Sequence, residues 1–259
     1  MSNKLNFVRR HNLSTELEVR MGDAHWSTQH MRQHHLLTAV SRVPAKLLRD
    51  GLRMEFGTRH GDALRWLAKP PSKGIHHYNY NSSGAWHGFD SWEGLPAEVA
   101  AGGSTSTKPS SHHWRGSQYS THGKLPDVRC CPGVKLHRGW FNDTLPPFMK
   151  LHAGQPVAFL HCDADIYSST LTVLEEVFSR CGQRVGTVIA FDELFGSAEQ
   201  EQHELRALLE TATRHGVTFR FITYALVPSS PFGRAAVQVL SVGKRCEREL
   251  GFTEREASS

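Results

Sequence analysis

Five cysteines in 259 residues, at positions 130, 131, 162, 181 and 246, are odd in number and contain no Cys-x-x-Cys spacing. That denies a zinc site or a disulfide framework its usual signature, so all five are expected as reduced thiols. Also missing is any run of about 18 apolar residues, which excludes a helical membrane span. The opening stretch, MSNKLNFVRRHNLSTELEVR, lacks the apolar segment of a secretory leader. The formal charge is +5, but no Lys/Arg block or aromatic-interleaved basic stripe goes with it, so nucleic acid is not a favoured partner. Internal repeats are absent too. The expectation is a cytoplasmic protein with no membrane and no nucleic-acid partner, long enough to bury the core of one large α/β domain.

Residues 1–50 are polar and His-rich, with HMRQHH at 30–35 and helical periodicity in HLLTAVSRV. They read as an amino-terminal helical extension. From residue 51 short apolar runs alternate with helix-period segments, which predicts βαβ units and a mostly parallel sheet. Strands are expected at 52–56, 86–89, 134–136, 157–161, 187–191, 219–224 and 236–240. The domain spans 51–243, and 244–259 read as a charged tail. In SSTLTVLEEVFSRCG, Leu171, Leu174, Val177 and Phe178 share a helical face, with Ser168 to Thr170 as N-cap oxygens and Gly182 at the exit. A second helix places Leu205, Leu208, Leu209 and Ala212 on one face and ends at Gly216. Upstream of both, residues 97–128 are rich in Gly, Ser and His without a period, as in a lid or a disordered insertion.

Two apolar runs end in acids. VAFLHCDADIYSST stops at Asp163 and Asp165, and GTVIAFDELFG stops at Asp192 and Glu193. Continuous hydrophobicity marks strands covered on both faces, and the intervening helix predicts a right-handed crossover between parallel neighbours. Both acid sets then emerge at the carboxyl edge of the sheet, where such sheets bind ligands. Crowded carboxylates repel unless protonated or neutralised, and Mg²⁺ or a similar divalent cation prefers oxygen donors. Asp163, Asp192 and Glu193 are the expected metal ligands, with Asp165 a weaker candidate.

RMEFGTRHGDALRWL reads as strand, turn and helix, with Gly57 and Gly61 in the turn. The third glycine of a dinucleotide fingerprint is missing, which argues against a nicotinamide enzyme. A donor without a pyrophosphate, such as S-adenosylmethionine, tolerates a looser loop. The next strand ends in Asp90, placed to accept hydrogen bonds from ribose hydroxyls.

Taken together and in order, EFGTRHGDALRWLA, GFDSWEGLP, GWFNDTLPPF, FLHCDADIYSST and TVIAFDELFG resemble class I S-adenosylmethionine-dependent methyltransferases of the macrocin O-methyltransferase kind. The resemblance implies a Rossmann-like, seven-stranded, mostly parallel sheet with helices on both faces, and methyl transfer to the hydroxyl of a small-molecule acceptor, often a sugar, with Mg²⁺ assistance. It implies that Glu55 and Gly57 line the methionine end of the cofactor and Asp90 the ribose, with Gly61 and Ser91 in the same cofactor set. It places the metal on Asp163, Asp192 and Glu193, where family members often have Asp-Asp at the last two positions. Relatives and the long polar extension also suggest self-association.

His203 and Asp163 are the residues expected in catalysis. His122 is a further candidate base, whereas His161, inside a strand, reads as a core histidine. A rival enzyme class takes Asp163-Ala164-Asp165 as the DxD of a metal-dependent glycosyltransferase, and a third reading keeps cofactor binding without turnover. On the metal reading, Asp192→Asn lowers metal affinity and turnover and leaves folding intact.

Overall fold

Alternate side chains of a buried strand must satisfy two apolar layers, and the apolar runs of this chain do so across a seven-stranded sheet. A computed structural model of the protein describes residues 2–19, 27–69, 84–96, 117–226 and 230–251. The strands are β1 (Leu52–Phe56), β2 (Trp86–Asp90), β3 (Val134–Arg138), β4 (Val157–Cys162), β5 (Val188–Phe195), β6 (Thr218–Leu226) and β7 (Gly233–Ser241). Their order is β3-β2-β1-β4-β5-β7-β6. The first five are parallel, and β7 lies antiparallel between β5 and β6. This is the Rossmann-like sheet that the sequence leads one to expect, with β4 and β5 adjacent and parallel.

The helices are α1 (Ser2–Arg10), α2 (Thr28–Val40), α3 (Ala45–Asp50), α4 (Asp62–Ala68), α5 (Phe141–Leu151), α6 (Tyr167–Ser179), α7 (Glu204–His215) and α8 (Lys244–Glu249). One face of the sheet packs Met54, Phe56, Leu160, Cys162 and Phe191 against α5, α6 and α7. The other packs Phe159, Ala190 and Ala236 against α2, α3 and α4. The helices of the first fifty residues therefore belong to the core: Leu36, Leu37, Ala39 and Val40 of α2 are all at most 1 % exposed. Phe7 of α1 is fully buried and stacks on Phe195 with ring centroids 4.2 Å apart. Burial of this kind contributes roughly 1.5–3 kcal/mol per large apolar side chain.

Four details differ from the sequence reading. Cys181 and Cys246 form a disulfide across 65 residues, tying α8 to the end of α6; an odd cysteine count hides one pair among three free thiols. The N-cap of α6 is Ile166 without a side-chain cap, so Ser168 to Thr170 lie inside the helix. Leu209 of α7 is exposed, and the buried face is Leu205, Leu208, Thr211 and Ala212. β5 does not stop at Asp192 but runs on to Phe195, with an irregularity after Phe191. Of the 97–128 insertion, residues 97–116 lie outside the described residues. Among the described residues no helix is long and apolar enough to cross a membrane.

Candidate active site

Pairing register explains how distant acids meet. Glu55 of β1 sits beside His161 of β4, and His161 beside Ala190 of β5, so two residues further on Asp192 leaves the same face of the sheet. That face is covered by α2. Residues 32, 35, 36, 39 and 40 share one stripe of this helix, and the stripe that buries His35, Leu36, Ala39 and Val40 delivers Arg32 to the carboxyl edge. There a cavity of about 720 Å³ is lined by Arg32, Glu55, Gly57, Asp90, Ser91, Asp163, Asp165, Asp192 and Glu193. Gln118 and Tyr119, from the end of the insertion, and Trp140, Phe141 and Asn142, around the start of α5, complete the wall.

Gly57 has φ +88°, and a Cβ there would lie 1.8 Å from the carbonyl oxygen of Asp163. The glycine lets the end of β1 cross directly over the end of β4. Its N–H donates to the Phe89 carbonyl at 3.0 Å. Gly61, also at positive φ, is the N-cap of α4, and it lies outside the cavity lining. Asp90 accepts the backbone N–H of Arg59 and that of Trp92, both at 2.7 Å, which fixes the glycine turn to β2. Ser91 Oγ donates to the Gly94 carbonyl and accepts the Glu93 N–H.

Asp192 is held by a two-pronged contact from Arg234 of β7, Nε at 2.9 Å and a terminal nitrogen at 3.2 Å. Arg32 Nε lies 2.9 Å from the same carboxylate, and its terminal nitrogen pairs with Asp163. Burial would raise the Asp192 pKa, but Arg32 and Arg234 outweigh it and hold the carboxyl below the usual range. Burial also opposes charge on Arg32, and Asp163 and Asp192 overcome it to raise its pKa. Asp163 is pushed up to about 6, by burial against the pull of Arg32.

The other acids have no such partner. Burial, reinforced by Asp165 and Asp192, pushes Glu193 up to about 10, and Asp165, at φ +60°, is raised by burial and by Asp163. Glu204 is raised mainly by burial and accepts the Glu193 N–H at 3.2 Å. Glu55 is pushed up to about 8 by burial. Its Oε1 meets His161 Nδ1 at 3.0 Å, and burial lowers His161 to about 4, so the two meet as a neutral pair at pH 7. Glu55 Oε2 is buried with no hydrogen-bond partner.

The structure thus gathers Glu55, Gly57, Asp90, Ser91, Asp163, Asp192 and Glu193, and does not bring His203 among them: it caps α7, off the cavity wall. His122 is also off the wall. The metal set expected on Asp163, Asp192 and Glu193 is not assembled. Arginine nitrogens contact the first two carboxylates, and no three His, Cys, Asp or Glu side chains among the described residues are placed to hold a metal ion. Sequence reasoning missed Arg32, because an arginine on a polar helix reads as solvated; extending the apolar stripe of α2 back one turn would have found it.

Residues 54–194, more than half of the chain, match the family model described as a methyltransferase domain. No curated protein matches. Among solved structures, the calicheamicin methyltransferase CalS11 is 22% identical with a TM-score of 0.51, the match covering 92% of this chain and 83% of that one. The O-methyltransferase NovP is 19% identical with a TM-score of 0.51, covering 81% and 80%. At these identities the likeness is one of fold.

Proposed function

The chain belongs to a family of methyltransferase domains, and from that premise we propose that it moves the methyl group of S-adenosylmethionine to a hydroxyl oxygen of a small molecule, with sugars among the acceptors to test. The observation that carries this reading is the convergence of Glu55, Asp90 and Asp163, from the ends of β1, β2 and β4, on one cavity.

The residues suit the donor. Glu55 Oε2, buried without a partner at the cavity wall, is matched to an α-ammonium group. Gly57 keeps the turn free of side-chain bulk, and Asp90, with acceptor positions beyond those taken by the Arg59 and Trp92 amides, can receive a ribose hydroxyl. When bound, the donor supplies an electrophilic sulfonium methyl. Asp163, with a pKa near 6, is ionised at neutral pH and still basic enough to take the acceptor's hydroxyl proton. Most of the remaining acceleration would come from holding oxygen and methyl in line. No step is routed through Mg²⁺, two of whose expected ligands, Asp163 and Asp192, are engaged by Arg32 and Arg234, and His203 has no role in this scheme.

Calorimetric titration with S-adenosylmethionine, in buffers of different ionisation enthalpy, tests the assignment. Glu55 is protonated at pH 7 in the free protein, and an arriving ammonium favours its carboxylate, so binding should release a proton and tighten as the pH rises towards about 8. Glu55→Gln should remove the release and roughly tenfold of the affinity. Binding without proton release sinks the role of Glu55, and no binding sinks the donor.

A further inference from the structure

The geometry points to Arg32 as a built-in cation: its guanidinium, bridging Asp163 and Asp192, stands where a divalent metal would sit, so that the centre works without one. Three observations carry this. Arg32 reaches both carboxylates, Asp163 through a terminal nitrogen and Asp192 through Nε at 2.9 Å. Arg234 makes two further contacts with Asp192, so two guanidiniums face these two carboxylates. And Arg32 is delivered by the helix whose stripe buries His35, Leu36, Ala39 and Val40, and its side chain is 23% exposed, held between the two carboxylates.

A planar, permanently charged guanidinium suits this post because it can hydrogen-bond Asp163 through a terminal nitrogen while its Nε side lies in ion-pair contact with Asp192. Mg²⁺ would need carboxylate oxygens at about 2.1 Å and keeps several waters. Bound between Asp163 and Asp192, it would compete with Arg32 for both carboxylates. The proposal deepens the methyl-transfer reading and rests on it for any bearing on catalysis, since it assigns the positive charge beside Asp163 to the chain itself.

The test needs no methyl donor, so its failure and the failure of the methyl-transfer reading are separate events. Mn²⁺ alone is titrated into the full chain, followed by electron paramagnetic resonance and by the melting temperature. The parent protein should bind no Mn²⁺ in the micromolar range. R32A and R32Q should gain at least ~tenfold in Mn²⁺ affinity and a Mn²⁺-dependent rise in melting temperature, R32K should gain neither, and adding D163N to R32Q should abolish the gain. Micromolar Mn²⁺ binding by the parent that is lost in D163N overturns the proposal. So does a folded R32Q with no gain. If neither arginine variant folds, the parent titration decides alone, and a parent without micromolar binding upholds the proposal.

Discussion

Gly57→Ala should destabilise the protein by about 4 kcal/mol or more, placing it among the severe single substitutions. Two effects add. A residue with a Cβ at φ +88° is strained by about 1–2 kcal/mol, and the Cβ would lie 1.8 Å from the Asp163 carbonyl oxygen and 2.8 Å from its carbon. Both are backbone atoms, so no side chain can swing aside. The ends of β1 and β4 would have to part, breaking the hydrogen bond from the Asp163 N–H to the Phe56 carbonyl, now 2.9 Å. Because Asp163 moves with that strand end, any folded fraction should also lose donor affinity. Gly154→Ala is the internal control. Its φ is +84° and nothing lies within 4 Å of the added Cβ, so it should cost only the conformational part. Thermal melts that place the two variants level would show that the close approach at Gly57 is not there.

Asp192→Asn is the second large effect, and here the structure reverses the sequence expectation of intact folding. Asp192 is 7% exposed and opposes both Arg32 and Arg234. Removing one partner from a buried ion cluster typically costs about 3–5 kcal/mol, because the charges left behind stay desolvated. For a domain of this size the melting temperature should fall by roughly 10 °C. The pH dependence has a definite sign. The Asp192 pKa is lower folded than unfolded, so its stabilisation is present above the ordinary carboxylate range and lost only as the pH falls through the folded value. The gap between parent and variant should hold steady from about pH 5 to 8 and close in strong acid. Arg234→Gln should show a similar loss, and the double variant should lose less than the sum. Full additivity would mean that the two residues do not interact.

The strands were legible because each is an apolar run bounded by polar turns, and β1 (Leu52–Phe56) coincides with its expected span. Glu55, Asp90, Asp163 and Asp192 were legible as a group for a related reason. A charged residue at the end of a buried run has few places to go, and a parallel sheet sends all such ends to one edge. What neutralises those acids was not legible. Arg32 lies 131 residues from Asp163, and Arg234 lies 42 from Asp192; the stripe of α2 points Arg32 inward, but neither element's own pattern says which acid its arginine meets. The same holds for Cys181 and Cys246, joined across 65 residues. His203 fell short for the opposite reason. Its closeness in sequence to Asp192 suggested closeness in space, but the extension of β5 to Phe195 carries the following turn away from the cavity.

The place of β7 has a consequence for the order in which the protein can assemble. It is the last described strand in the chain, yet it lies between β5 and β6, and β6 pairs with no other strand of the sheet. Until residues 233–241 emerge from the ribosome, β5 keeps an open edge and β6 has no strand of the sheet to pair with, only the bridge from Glu18 to Tyr224. Such edges recruit other chains, so a nascent chain halted before this point is the form most prone to aggregate. Arg234 arrives with the same strand. The ionic centre therefore cannot complete its pairing of Asp192 before β7 has taken its place in the sheet, so the cavity acquires its full set of charges only with the last strand in the chain.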